Sequence, residues 1–523
     1  MKDRLINLLK LEIKPPGLKD NTADVDRLIK AIKKEKGEKK VKLDLSLIRE
    51  IPYRIRKAEY KVYVCFFERD EEIYIIDVYP EEREIYGIAV DLGTSTVVLR
   101  IIRIKDMKVI EELSFQNPQI RIGEDILSRI HFAEKEKGLE ELQSLIISSL
   151  NEKIEYLSKK HEIPLESIVG ISVAGNTAMT HFLLGLNTYW LCREPYIPVF
   201  NRFEPIKASE IGLKINPRAL LFVFPNVGSY FGGDLIAGII ASGITEQRNE
   251  IYMLIDIGTN AEVVLGNSDW LVGCAGAAGP ALEGGVVNIG MSASSGAIDR
   301  IEIDPETLEL KYHTIDEKPP VGICGSGLID LIAHLYLTGM IDIRGKFVPE
   351  RCGDRLKEED GIKYFVVVPA EKSGTGSDLT ISQPEIDSVI RSKAAMFTIL
   401  TTLVNSLNIS FKDIKKIYIA GTFGFYINPR SAITIGMIPD LPIDTYIPLG
   451  NTSIEGATRL FSSRSYFDEM FKIRDSITYI ELNVNQEFMQ LFSAAKFIPH
   501  TDKSLFPSVK QYYKGGRDEG ISK

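Results

Sequence analysis

Two stretches of the chain nearly repeat each other: YGIAVDLGTSTVVLRII at 86–102 and YMLIDIGTNAEVVLGN at 252–267. Each is an apolar run, then Asp-Leu/Ile-Gly-Thr-Ser/Asn, then a second apolar run. Asp and Gly can make a β-turn with no further purpose. Here the flanking runs are apolar enough to be central strands, so each turn sits at the tip of a buried hairpin with an aspartate just before it.

A phosphate chain with its metal spreads charge over several ångströms, more than one loop can grip. Two hairpins facing each other from two lobes can clamp both ends, glycine letting the backbone approach and hydroxyls or amides donating hydrogen bonds. The contacts expected are Gly93, Thr94, Ser95 and Thr96 in the first hairpin, and Gly258, Thr259 and Asn260 in the second. Asp91 and Asp256 would then hold Mg2+ through its water shell, because Mg2+ favours oxygen ligands and gives up water reluctantly.

Composition narrows the alternatives. The 523 residues are 44% apolar and 26% charged with a formal charge of −9, ordinary for a globular protein and unfavourable for a nucleic-acid partner. The apolar run from Leu235 to Ile244 is too short and Gly-broken to span a bilayer. MKDRLINLLKLEIK lacks the apolar core and cleavage site of a signal peptide, so the expected location is the cytoplasm, with no membrane partner. The five cysteines, Cys65, Cys192, Cys274, Cys324 and Cys352, show no metal-site spacing and read as reduced thiols.

Along the chain, residues 1–45 read as a charged linker with one amphipathic helix, its apolar positions at Val25, Leu28, Ile29 and Ile32. Residues 46–84 read as a small α/β middle domain of about two strands and a helix. From 85 to 523, apolar runs alternate with helical patterns, as in layered α/β architecture. Lobe I is expected at about 85–248, lobe II at about 249–440, and a C-terminal return and extension at 441–523. Five Gly-rich segments fall in this part, at 173–185, 225–243, 273–285, 322–335 and 417–429; several pair an apolar strand with a Gly turn and a helix start that can receive phosphate.

These residues carry a resemblance. The two Asp-Gly-Thr hairpins and IYIAGTFG, with Gly421, Thr422 and Gly424, resemble the two phosphate motifs and the adenosine motif of the superfamily of actin, sugar and acetate kinases and heat-shock chaperone ATPases. SVAGNTAMTHFLLG, REPYIPVF, FPNVGSYFGGDLIAGI, CAGAAGPALEGG, GICGSGLIDLIAHL, ISQPEIDSVIRSKAA and AGTFGFYINP, in this order, resemble the reductive activators of corrinoid proteins over nearly the whole chain. The resemblance implies a two-lobed actin-like ATPase fold, a duplicated ribonuclease-H-like α/β design, preceded by a linker helix and a small α/β module. It implies ATP-dependent return of a corrinoid protein's cofactor from Co(II) to Co(I), and pairing of two copies as a homodimer. Members of that family usually carry an iron–sulfur domain. The cysteine spacing gives no iron–sulfur cluster in this chain, so a separate ferredoxin-like electron donor is expected. A small-molecule kinase and a nucleotide-gated binding protein without redox role are the competing readings.

Single residues divide between chemistry and packing. Asp234, after Gly232-Gly233, matches an acidic residue that activates the attacking oxygen in related kinases, or else caps its helix. Asn176 and Thr177 either touch phosphate or cap the next helix. Glu262 is a metal-side ligand or a strand-end carboxylate. Gly325, Ser326 and Gly327 contact nucleotide or allow close helix packing. Asp387, Arg391 and Lys393 resemble side chains that hold adenine and ribose in chaperone ATPases, or form a solvated helix face. His181 and His334, within apolar helical patterns, are expected to pack in the core rather than bind metal.

Overall fold

A computed structural model describes residues 4–258, 261–276, 287–421, 427–480 and 486–511. The chain divides into two compact units, Met1–Ala241 with Thr452–Ser476, and Ser242–Asn451 with Ile477–Lys523.

The first unit begins with strands β1 (Ile6–Glu12), β2 (Lys40–Leu43), β3 (Lys61–Arg69) and β4 (Glu72–Tyr79), which form one sheet in the order β1-β3-β4-β2. Two helices, Asp24–Lys36 and Leu45–Lys57, cover it with Leu28, Ile32, Leu47, Ile51 and Ile55, all buried. The expected boundary at residue 45 is therefore corrected. β1 and β2 come from the segment read as a linker, yet β1 pairs along its whole length with β3 and β2 with β4. The amphipathic helix spends its apolar face on this sheet.

The larger sheet of the unit contains β5 (Tyr86–Leu92), β6 (Thr96–Arg103), β7 (Lys108–Gln116), β8 (Ile168–Gly175), β9 (Ile206–Lys207) and β10 (Leu220–Val223), in the order β7-β6-β5-β8-β10-β9. β5, β6 and β7 run antiparallel, and β8 and β10 follow parallel to β5. Tyr86 to Val90 are all buried, as a central strand covered on both faces requires. The helix Gly138–Lys160 lays Leu142, Ile146, Leu150, Ile154 and Leu157 into this core.

The second unit repeats that order. Its strands are β11 (Ile251–Ile257), β12 (Ala261–Gly266), β13 (Leu271–Gly276), β14 (Ala297–Ile303), β15 (Leu310–Thr314), β16 (Gly322–Ile323), β17 (Leu356–Glu359), β18 (Ile362–Val368), β19 (Leu379–Ser382), β20 (Ile414–Ala420), β21 (Tyr446–Gly450) and β22 (Ile477–Tyr479). The main sheet runs β21-β20-β11-β12-β13-β22, again three antiparallel strands followed by two parallel ones beside the first. Two three-stranded sheets, β15-β14-β16 and β17-β18-β19, are inserted between β13 and β20. The segment expected to be one C-terminal return divides: Thr452–Ser476 belongs to the first unit, where Phe461 fills the space left by Gly87 and Gly170, and β22 joins the second unit's sheet. Among the described residues no helix is long and apolar enough to cross a membrane.

Within the first unit a buried ionic hub joins the two sheets. Asp77 of β4 accepts from Arg54 at 2.6 Å, Arg218 at 2.9 Å and Asn216 at 2.8 Å, and Arg218 also donates to the Ile76 carbonyl at 2.9 Å. Asp77 and Arg218 are almost wholly buried. Replacing Asp77 by Ala strands the Arg218 charge in that interior. We expect a loss of about 3–5 kcal/mol in the unfolding free energy of the first unit, measured by urea titration; a loss under about 1 kcal/mol would show that Arg218 finds water or another partner.

Candidate nucleotide site

In the first unit three chain segments meet at the end of the central strands. Asp91 stands opposite Val98 near the end of β5, half-buried, and Gly93 turns the hairpin; a Cβ on Gly93 would lie 2.4 Å from the Thr96 carbonyl oxygen. The turn is held from both sides. Asn117 donates through Nδ2 to the Gly93 carbonyl at 2.8 Å, and Asn176 donates through Nδ2 to Thr94 Oγ1 at 3.0 Å. Asn176 also caps the helix Thr177–Leu184, accepting from the Met179 N–H at 3.0 Å, which is one of the two roles weighed for it. Thr177 is buried and donates to the Gly228 carbonyl at 2.9 Å, tying this helix start to the Gly-rich loop that follows β10. Gly232 presses on Asn176: its Cβ would lie 2.5 Å from Asn176 Cα. Ser95 and Thr96 are exposed at the tip.

Asp234 opens the helix Gly233–Ser242 and accepts from the Leu235 N–H at 2.9 Å. Part of its surface still faces solvent, but the crowding of chain around the carboxylate pushes its pKa up to about 6, and the nearby Asp91 charge pushes the same way. A carboxylate that titrates near 6 accepts a proton at neutral pH far more readily than an ordinary aspartate.

The second unit repeats the design. Asp256 pairs directly with Glu262 across β11 and β12, both half-buried. Carboxylates directly opposite each other on a ladder repel, and a divalent cation is one group that can relieve that repulsion. Gly258 follows half-buried; Thr259 and Asn260 lie outside the described residues, as do Thr422, Gly424 and most of the 273–285 segment. Gly421 directly follows β20 with φ +90°, and its Cβ would lie 2.5 Å from the Ile257 carbonyl oxygen and 3.1 Å from Asp256 Oδ1. Gly175 does the same in the first unit, 2.9 Å from the Leu92 carbonyl oxygen. The repeat thus extends to the neighbouring strand: Ala-Gly closes β8 at 174–175 and spans the end of β20 at 420–421.

Three expected contacts turn inward. Lys393 is buried in the helix Gln383–Ser406, and its ammonium donates to the carbonyls of Phe497 at 2.5 Å and Pro499 at 2.8 Å; burial holds its pKa well below the usual lysine range. It pins the C-terminal segment and is corrected from a nucleotide contact to a packing residue. Ser326 is buried and donates to the Asp299 carbonyl at 3.0 Å, while Gly325 and Gly327 are buried at the start of the same helix, so this turn serves helix packing against β14. Asp387 pairs with Lys346 at 2.7 Å rather than with Arg391, which is exposed.

His181 is fully buried, with Nδ1 2.7 Å from the Thr177 carbonyl and Nε2 accepting from the Val199 N–H at 3.0 Å; both bonds together fix a neutral ring, and burial lowers its pKa. His334 accepts from the Ile303 N–H at 3.2 Å. The five cysteines are free, and all but Cys192 are buried. Among the described residues no three His, Cys, Asp or Glu side chains gather closely enough to chelate a metal. Asn117 was missed in the sequence; Asn-Pro at 117–118, a cap followed by proline, was its available signal.

A sheet order of this kind, present twice with an aspartate and a glycine turn at the same place in each copy, defines an actin-like protein of the ATPase type. The comparisons narrow that class. Family models match the RACo linker region at residues 3–85, the RACo middle region at 86–247 and the C-terminal domain of RACo, the ASKHA domain, at 250–510. A solved structure titled reductive activator for corrinoid, iron–sulfur protein superposes with a TM-score of 0.89 at 37% identity, covering 97% of this chain and 81% of that one. The corrinoid activation enzyme RamQ of Eubacterium limosum is 32% identical over 476 residues, 86% of this chain and 79% of that protein. The [Co(II) methylated amine-specific corrinoid protein] reductase of Methanosarcina barkeri is 25% identical over 424 residues, 75% and 73% of the two chains. The chain belongs to the RACo family, the reductive activators of corrinoid proteins.

The Asp234 pKa has a measurable consequence for stability. As pH rises through about 4 the unfolded chain releases this proton, whereas the native carboxyl holds it until about 6. The native state therefore binds the extra proton between these values, and stability falls as pH rises across that window. Asp234→Asn lacks the titration. Between pH 4 and pH 8 without magnesium, the variant should gain on the order of 2 kcal/mol relative to wild type in urea unfolding; a constant difference would mean that Asp234 titrates like a surface acid.

Proposed function

We propose that this chain is an ATP-dependent activator of a corrinoid methyl-transfer protein, promoting the one-electron reduction of Co(II) to Co(I) while a separate iron–sulfur donor is oxidised. The observation that carries the reading is the repeated half-site: a carboxylate at the end of each central strand, a glycine turn beside it and a second glycine on the neighbouring strand. The names of the relatives support the corrinoid substrate.

In this reading Gly93, Thr94, Ser95, Thr96 and Asn176 receive phosphate oxygens in one half-site, and Gly258, Thr259 and Asn260 in the other. Gly421, Thr422 and Gly424 lie against the nucleoside. Asp91, Asp256 and Glu262 hold Mg2+ through water; the ion neutralises charge on the phosphates. Asp234, with its raised pKa, takes a proton from the attacking water. ATP turnover drives formation and release of the complex with the corrinoid protein, which makes an uphill electron transfer possible. The protein works in the cytoplasm as a homodimer; since the first helix buries its apolar face in its own sheet, the dimer rests on the family resemblance.

Asp256→Ala should lower ATP hydrolysis by on the order of 10²-fold or more, the scale of losing one preorganised electrostatic group. Unchanged turnover in both Asp91→Ala and Asp256→Ala would sink the assignment. The redox role is tested by following the cobalt absorption of a cobalamin-loaded methyl-transfer protein. Co(I) should accumulate only when this protein, Mg-ATP and a ferredoxin-like donor are all present, and hydrolysis should rise with the corrinoid protein. No response in either signal would favour a nucleotide-gated binder, and phosphotransfer to a small molecule would favour a kinase. Light scattering should give twice the chain mass; a monomer both for the full chain and for a chain starting at Ile85 would remove the dimer.

A further inference from the structure

One buried charge takes no part in that scheme. Arg129 lies on the helix Ile126–Ala133 with none of its surface exposed. Its Nε donates to the Gly123 carbonyl at 2.8 Å, and its Nη1 lies 3.4 Å from Gln119 Oε1 and 3.5 Å from Met179 Sδ, all neutral groups. Its Nη2 is buried without a hydrogen-bond partner. Asp125 favours the charge from a distance, but its own oxygens accept from the Ser128 N–H at 2.8 Å and the Ser128 hydroxyl at 2.7 Å as the cap of the helix. Among the described residues no carboxylate lies within ion-pair distance of the guanidinium. Burial pushes its pKa down to about 10, so it stays protonated at neutral pH. Such a charge is costly to keep, and buried cations are ordinarily paired.

Its position suggests what completes it. Gln119 donates its N–H to Asn117 Oδ1 at 2.9 Å, and Asn117 donates to the Gly93 carbonyl. On the other side Met179, touched by Arg129, donates its N–H to Asn176, whose side chain donates to Thr94. Both routes from the guanidinium end on the turn of the first phosphate hairpin, one on Gly93 and one on Thr94. In a protein interior a charge acts across such a distance with little screening.

We propose that Arg129 is a positioning residue of the first phosphate half-site: its unpaired positive charge, buried behind the Gly93–Thr94 turn, is compensated when that turn receives an anionic phosphate chain. The inference rests on the nucleotide reading above. Arg129 touches no phosphate itself; it supplies the field and contacts Gln119 and Met179, which in turn bond Asn117 and Asn176 beside the turn.

The test compares full-length wild type with Arg129→Met, by thermal unfolding without ligand and by calorimetric titration with Mg-ATP and with inorganic triphosphate. Removing an uncompensated charge while filling its volume should leave the unliganded midpoint equal or higher. Affinity for both ligands should fall roughly 10-fold. Arg129→Lys, which keeps the charge but not the guanidinium hydrogen bonds, should recover most of the affinity. A lowered midpoint in the Met variant, with or without weaker binding, would show a structural anchor and overturn the proposal. Should the Met variant not fold, Arg129→Lys is compared with Arg129→Gln, and equal affinity in these two overturns it. Wild type that binds Mg-ATP with an unweakened Met variant removes the role of Arg129 alone. Wild type that binds neither ligand removes the nucleotide reading and this proposal with it.

Discussion

Each half of this protein depends on one backbone approach. The central strand can end in an aspartate beside an open turn only if the neighbouring parallel strand ends without a side chain: Gly175 lies against the Leu92 carbonyl and Gly421 against the Ile257 carbonyl. A Cβ at either place would force the two strands apart at the point where the carboxylates Asp91 and Asp256 leave the sheet. The positive φ of Gly421 adds a second reason for glycine there. The duplicated element is therefore two strands wide, larger than the hairpin that first reveals it.

Around this geometry like charges lie close together. Asp256 faces Glu262, and Asp91 lies near Asp234; like charges so placed repel. Burial of the Asp234 carboxylate, with the Asp91 charge adding to it, is why it titrates near 6. Arg129 is the opposite case, a buried cation with neutral neighbours.

The first 85 residues contribute rigidity to the first unit. Asp77, Arg54, Arg218 and Asn216 form a closed set in which the buried carboxylate accepts from every member, so the small sheet is fixed to the larger one in a single register. Buried ion pairs seldom add much net stability, but breaking one is expensive, and such a hub specifies a docking geometry more sharply than apolar contact does.

The sequence by itself determined what local pattern and chemistry can carry: the repeated hairpins, the layered α/β class, the helix starting at PEIDSVIRSKAA and the core placement of His181. These are legible because the hydrophobic period, the turn residues and the caps act over a few neighbouring positions. What only the tertiary structure decided are pairings between distant segments. β1 looked like linker because its partner strand comes some fifty residues later and a single edge strand has no local signature. Lys393 looked like a ligand-facing charge because nothing nearby in sequence reveals that the carbonyls of Phe497 and Pro499 fold over its ammonium. Ser326 could equally have faced nucleotide until the helix was placed against β14. Burial is set by which surfaces meet, and burial decides whether a polar side chain binds a ligand or the protein's own backbone.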